Sequence, residues 1–168
     1  MAPKSFFGKL RDALIPSPAT QAAGALRLQA QMFAGSYNAG YSLSDDVSPL
    51  SGKRRPYDYS AESLAEVDQL IEDLLHGSDP AEAEDRGLLI AGAGAYYGEV
   101  IVRNLGGEWE PPAAGGQTAP SRVQVAGPDG TLHSETPFER VTARTQSRDS
   151  TRLEAAYAEL RAKSSAAG

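Results

Sequence analysis

Residues 88–107 read LLIAGAGAYYGEVIVRNLGG, and the fold turns on whether they start as a strand or run as one helix. Taken from Leu88 to Gly98, the stretch imitates a strand entering a glycine-rich dinucleotide loop. Such a loop needs glycines for its turn, for close approach of the pyrophosphate and for packing of the helix that follows. Here the third glycine comes one residue late, because position 97 is Tyr97 and Gly98 follows it. A dinucleotide fold also needs further parallel strands, each reached through a crossover helix, whereas the downstream sequence offers one hairpin and two short helices. A helical reading of Leu88 to Leu105, with an irregular start near Gly87, fits better. It sets small residues four apart, Ala91 with Ala95 and Gly94 with Gly98, so that another element can approach the helix backbone. Gly106-Gly107 then ends the helix.

Working upstream, Asp79 is a cap, Pro80 suits the first helical position, and Glu82 stands three residues after the cap. Before that, Ser60 is a good N-cap and Glu62 favours the first turn. Leu64, Val67, Leu70, Ile71, Leu74 and Leu75 recur at helical spacing, and Gly77 is a natural stop. Residues 19–56 are less decided. Ala22 to Phe33 permits a helix, and the alternation Leu26, Leu28, Ala30, Met32 permits a strand. From Gly35 to Pro56 the composition of Gly, Ser, Asn, Asp and Pro reads as a linker. At the start, Phe6, Phe7, Leu10, Leu14 and Ile15 give Ser5 to Ile15 one apolar helical face, ended by Pro16 and Pro18.

Working downstream, Trp109 begins a strand and residues 111–120 form a Pro/Gly/Ala loop. Arg122, Val123, Gln124 and Val125 alternate as a half-buried strand does. Pro128-Asp129-Gly130 is turn chemistry, and Thr131, Leu132 and His133 return as the partner strand. Thr136-Pro137-Phe138-Glu139 starts a helix whose Phe138 and Val141 face the core. A last helix from about Thr151 carries Leu153, Ala156, Tyr157 and Leu160 on one side.

The expected fold is therefore α+β: two N-terminal helices, a small antiparallel β-hairpin or sheet, then C-terminal helices. Residues 1–56 divide into an N-terminal amphipathic helix and a Gly/Ser/Pro-rich linker. Residues 57–163 form an acidic α+β domain, and 164–168 a disordered tail. Much of the chain's 40% hydrophobic content is alanine, which buries little area. Such a core suits a domain of about 100 residues.

Charge and composition remove several functions. Residues 1–56 hold seven Lys/Arg against three acids, and residues 57–168 hold nine against nineteen. That asymmetry argues against nucleic-acid binding by the main domain, since phosphate contacts need a basic face. The chain has no cysteine and two histidines, His76 and His133. Disulfides and thiolate metal sites are ruled out, and a His-rich zinc site is not expected. No cofactor motif stands out. There is no secretory h-region and no run of roughly 18–20 apolar residues, so a cytoplasmic location is the default.

Two constellations remain. Glu99 lies in the apolar helix with Arg103 four residues later. It is either an intrahelical ion pair in the favourable orientation or a buried carboxylate serving a small-ligand or hydrolytic site with Tyr97, Arg103 and Trp109. From Asp58 to Asp85 there are ten acids and no Lys or Arg. Glu66, Asp68, Glu72 and Asp73 on this stretch are either a solvated surface or a face that neutralises a basic protein partner.

The run Ala95-Tyr96-Tyr97-Gly98-Glu99-Val100-Ile101-Val102-Arg103, followed by Gly106-Gly107-Glu108-Trp109, resembles a motif of uncharacterised bacterial domains of unknown function. Those domains similarly have a capped helix before it, as in Tyr59 to Leu64. They also have a Pro-apolar segment leading to a basic residue after it, as in Pro137 to Arg144. The resemblance covers about residues 57–163 and implies a domain boundary and a helical fold, with no activity to carry over. The expected function is a non-catalytic interaction module, an accessory, inhibitor or immunity-like protein using an acidic surface. The alternatives are the site centred on Glu99 and a peripheral membrane or assembly role tethered through Phe6, Phe7, Leu10 and Leu14.

Overall fold

The computed structural model describes residues 18–38, 57–76, 83–110 and 122–165. These form five helices and three strands: α1 (Pro18–Asn38), α2 (Ser63–His76), α3 (Ala83–Leu105), β1 (Glu108–Trp109), β2 (Val123–Ala126), β3 (Leu132–Glu135), α4 (Pro137–Gln146) and α5 (Leu153–Ser165). The architecture is α+β, but three described helices precede the sheet where two were expected. The addition is α1. Its buried residues Leu26, Ala30, Phe33 and Ala34 follow helical spacing. Leu28 and Met32, which the alternating pattern had placed on the same face as Leu26 and Ala30, lie on the solvent side.

Helix α3 is the centre of the fold. Residues 92–101 along it are buried without interruption, as in a helix with packing partners on every side. Its glycines take aromatic rings. A methyl group at Gly92 would come within 2.7 Å of Phe33, one at Gly94 within 2.5 Å of Phe138, and one at Gly98 would collide with the Trp109 ring. The glycine-rich stretch is thus helix throughout, and its glycines admit α1, α4 and β1 to the helix backbone. Phe33 meets Gly92 while Arg27 reaches Glu99, so α1 and α3 run antiparallel.

Gly106, at φ +68°, turns the chain out of α3 and into β1. The sheet is antiparallel in the order β1-β2-β3. Trp109 pairs with Val123, and Val123 in turn with Glu135. Val123 and Val125 point into the core, and Asp129 closes the hairpin turn by accepting from the Thr131 backbone N–H at 2.9 Å. Pro137 opens α4, although Thr136 makes no side-chain capping bond. Ser60 Oγ accepts from the Ser63 N–H at 3.2 Å, capping the turn that leads into α2. Helix α5 extends to Ser165, past the point where a tail was expected.

The expected N-terminal amphipathic segment, the Gly35–Pro56 linker beyond Asn38, the Asp79-Pro80 cap and the Pro111–Pro120 loop lie outside the described residues. No helix among the described residues is long and apolar enough to cross a membrane.

Candidate functional site

Three buried carboxylates decide what the interior can do: Asp68, Glu99 and Glu135. A buried charge is tolerated only when it is paired and hydrogen-bonded. Each of the three meets an arginine.

Glu99 sits in mid α3 with its side chain 1% exposed. Trp109 donates its indole N–H to Oε1 at 3.2 Å. Arg103, one turn along, places Nε 3.5 Å from Oε2, and Arg27 of α1 places its own Nε 3.6 Å from the same oxygen. The sequence foresaw Arg103 and Trp109 as neighbours of Glu99. Arg27 it did not mark. The available signal was helical spacing, since Arg27 is three and seven residues before the buried Ala30 and Ala34. Glu99 does form the ion pair with Arg103, in a less exposed form than an ordinary surface pair. Both oxygens are engaged, so Glu99 joins α1, α3 and β1.

Arg103 also lies over the Tyr59 ring, with Cζ 3.6 Å from its centroid, a cation–π contact. Tyr59 is the non-glycine residue at positive φ, +64°, among those described. Its backbone is held on both sides. The N–H donates to the Tyr96 hydroxyl at 2.8 Å, and the carbonyl accepts from Asn104 Nδ2 at 2.8 Å. Its ring stacks on Tyr96 at 4.8 Å between centroids. Burial raises the Tyr59 hydroxyl's pKa, Arg103 lowers it and Glu99 raises it again. That hydroxyl is shut off from solvent and has no hydrogen-bond partner among the described residues.

Tyr97 is not brought to Glu99. Two residues apart on a helix, their side chains leave on nearly opposite faces. The Tyr97 hydroxyl is buried and has no hydrogen-bond partner among the described residues. Burial drives its pKa far upward, and the Glu135 carboxylate adds to the effect while Arg140 opposes it. Those two charges form the second pair, a buried carboxylate with a half-buried arginine. Arg140 grips Glu135 with two bonds, Nε to Oε1 at 3.0 Å and Nη2 to Oε2 at 3.2 Å.

The four acids singled out on α2 part company. Asp68 is buried, with Arg144 Nε 3.1 Å from Oδ1 and the Glu154 N–H 3.3 Å from Oδ2. Glu72 pairs with Arg144 Nη2 at 3.5 Å and with Arg148 Nε at 2.9 Å. Asp68 is enclosed, whereas Glu72 is half-buried. Glu66 and Asp73 are exposed, and with Gln69 on α2 and Glu62 in the turn just before it they line one stripe. Asp73 accepts from Gln69 Nε2 at 2.7 Å.

His133 is half-buried in β3. Among the described residues no cluster of three or more His, Asp or Glu is placed to hold a metal ion. No family model, curated protein or solved structure matches the chain.

Proposed function

We propose that the protein is a non-catalytic interaction module that presents an acidic stripe, Glu62 just before α2 with Glu66 and Asp73 on it, to a basic protein partner. The observation that carries this reading is the pairing of Asp68, Glu99 and Glu135 with Arg144, Arg103 and Arg140. The buried carboxylates are spent on cross-linking the fold, so the acids left to act are at the surface. Glu62 and Glu66 make no ion pair among the described residues. A row of like charges along one helix face steers a partner of opposite charge and fixes its register. An accessory, inhibitor or immunity-like role fits that chemistry. The resemblance to uncharacterised bacterial domains stays part of the same proposal and adds no activity to it.

The test is capture of a stoichiometric partner from source cells by the full chain and by a Glu62→Lys/Glu66→Lys/Asp73→Lys variant. The expected outcome is a basic partner held by the first and lost by the second. Equal capture by both would remove the acidic stripe from the interface.

A further inference from the structure

A groove of about 570 Å³ lies between the turn before α2 and helix α5, next to the acidic stripe. Ala61 and Glu62 line one side of it, and Glu154, Ala158 and Arg161 of α5 line the other. The three α5 residues share a helix face through their spacing of three and four. The lining is mostly apolar, but its charges do not cancel. Glu62, Glu154 and Arg161 make no ion pair among the described residues. Two carboxylates against one guanidinium leave one negative charge in excess. Tyr157 also lines the groove, although the residue is 5% exposed. Its hydroxyl has no hydrogen-bond partner among the described residues and, unlike those of Tyr59 and Tyr97, is not closed to solvent. Burial raises the pKa of that hydroxyl, Arg161 lowers it and Glu62 raises it again. Both charges therefore lie within reach of it, and its oxygen is left as a neutral acceptor at neutral pH.

We propose that this groove seats an arginine side chain of the basic protein partner, its stem on the apolar lining and its head among the carboxylates and the Tyr157 hydroxyl. The seat extends the partner-binding stripe, on whose reading it rests, and names the side chain that the partner inserts beside it. Long cationic side chains lay their methylenes on apolar surface while the charged head stays at a polar edge. A guanidinium carries five donors and no acceptor, which suits a lining that offers two carboxylates and a hydroxyl oxygen. One such cation neutralises the surplus charge. An ammonium is more strongly hydrated and presents no planar fork, so arginine is favoured over lysine. Arginines seated in pockets are also among the residues that carry most of an interface's binding energy.

The probes are acetyl-arginine amide and its uncharged isostere acetyl-citrulline amide, titrated into the full-length protein at constant ionic strength. The Tyr157 and Ala158 resonances are followed by NMR. Acetyl-arginine amide is expected to shift both saturably, with a dissociation constant on the order of 1 mM for a ligand of this size. Acetyl-citrulline amide is expected to bind several-fold more weakly. Glu154→Gln, which lies outside the stripe, is expected to weaken arginine binding several-fold. Ala158→Leu keeps every charge and fills the groove, and it is expected to abolish binding. Both substitutions fall at exposed positions, and urea unfolding is expected to give the parent's midpoint for each. No saturable shift with acetyl-arginine amide overturns the proposal. So do equal affinities for the two probes, shifts confined to Glu66 and Asp73, or unchanged binding in Ala158→Leu. The titration needs no partner. A partner captured equally by the parent and the triple-lysine variant removes the stripe and leaves the groove's result standing, and a groove that fails leaves the stripe's test intact.

Discussion

Arg144 and Asp68 stand 76 positions apart in the chain and meet as a buried ion pair, Nε to Oδ1 at 3.1 Å, each side chain 2% exposed. Arg144 does more than neutralise Asp68. Its Nη1 also donates to the Arg148 carbonyl at 3.0 Å and the Ser150 carbonyl at 3.3 Å, and Nη2 faces Glu72. One side chain thus ties α2 to α4 and to the turn before α5, while Asp68 Oδ2 takes the Glu154 N–H in the first turn of α5.

Removing one partner of such a pair leaves an uncompensated buried charge, at a cost of about 3–5 kcal/mol. Arg144→Met is expected to lose stability on that scale in urea unfolding with an unchanged slope. The double variant Asp68→Leu/Arg144→Met is expected to recover part of the loss, since the isolated charge is gone. Recovery stays incomplete because the carbonyls of Arg148 and Ser150 lose their donor. Additive losses in the double variant would show that the two groups are not coupled.

The glycines of α1 and α3 give a matched comparison. Glycine in a helix interior costs about 0.5–1 kcal/mol relative to alanine. Gly24 has nothing within 4 Å of an added Cβ, so Gly24→Ala is expected to stabilise by about that amount. At Gly98 the added methyl meets the Trp109 ring. Overpacking there costs about 1–3 kcal/mol and outweighs the helix gain. Gly98→Ala is expected to lower the unfolding midpoint and to shift Trp109 fluorescence, because the ring has to leave its place beside Glu99. Stabilisation at both sites would mean that β1 does not press on α3.

The fold was legible where one residue type had one meaning. Gly106-Gly107 closing α3, Pro128-Asp129-Gly130 turning the hairpin and Pro137 opening α4 are backbone signals that tertiary context does not override. The stretch preceding Gly35 was not legible, because Leu26, Leu28, Ala30 and Met32 satisfy a strand period as well as a helix period. Only packing of Leu26, Ala30 and Phe33 beside α3 separates the two. The α2 acids show the same limit. Asp68 and Glu72 read as surface charge because acidic side chains are rarely buried. The arginine that draws Asp68 inward is far downstream. It does share a helix face with the buried Val141, three residues earlier, which is a local sign that its side chain also turns inward. Of the cluster around Glu99, the sequence held Glu99, Arg103 and Trp109. Tyr97 went to the opposite face of the helix, and Arg27 and Tyr59 arrive only through the tertiary fold.

Buried tyrosines make the fold sensitive to alkali. Burial raises the pKa of Tyr59, Tyr96, Tyr97 and Tyr157 from the ordinary value of 10.0. In the unfolded chain they ionise near that value, so above it the unfolded state binds fewer protons than the folded one. Their contribution is fully present below pH 10.0 and is lost as pH rises beyond it. Stability is expected to fall steeply above that pH. Tyr97→Phe, which removes an unpartnered buried hydroxyl, is expected to be tolerated at neutral pH and to make the alkaline fall shallower. An identical pH slope in the variant would exclude Tyr97 from the effect.

The acidic stripe and the buried acids of α2 are expected to separate cleanly under mutation. Glu62, Glu66 and Asp73 are exposed, and reversing their charge removes no buried contact, so the Glu62→Lys/Glu66→Lys/Asp73→Lys variant should keep the parent's unfolding midpoint. Its association with the captured partner should slow, and the parent's association rate should fall with added salt as screening shortens the reach of the stripe. Asp68→Asn should do the reverse. It strips the charge facing Arg144, lowers the midpoint and leaves the association rate of the folded protein unchanged. Surface-coupled binding over a salt series, set beside urea unfolding of the same two variants, reads both quantities. A partner whose association ignores salt, or is as sensitive to Asp68→Asn as to the triple reversal, would place the interface away from this face of α2.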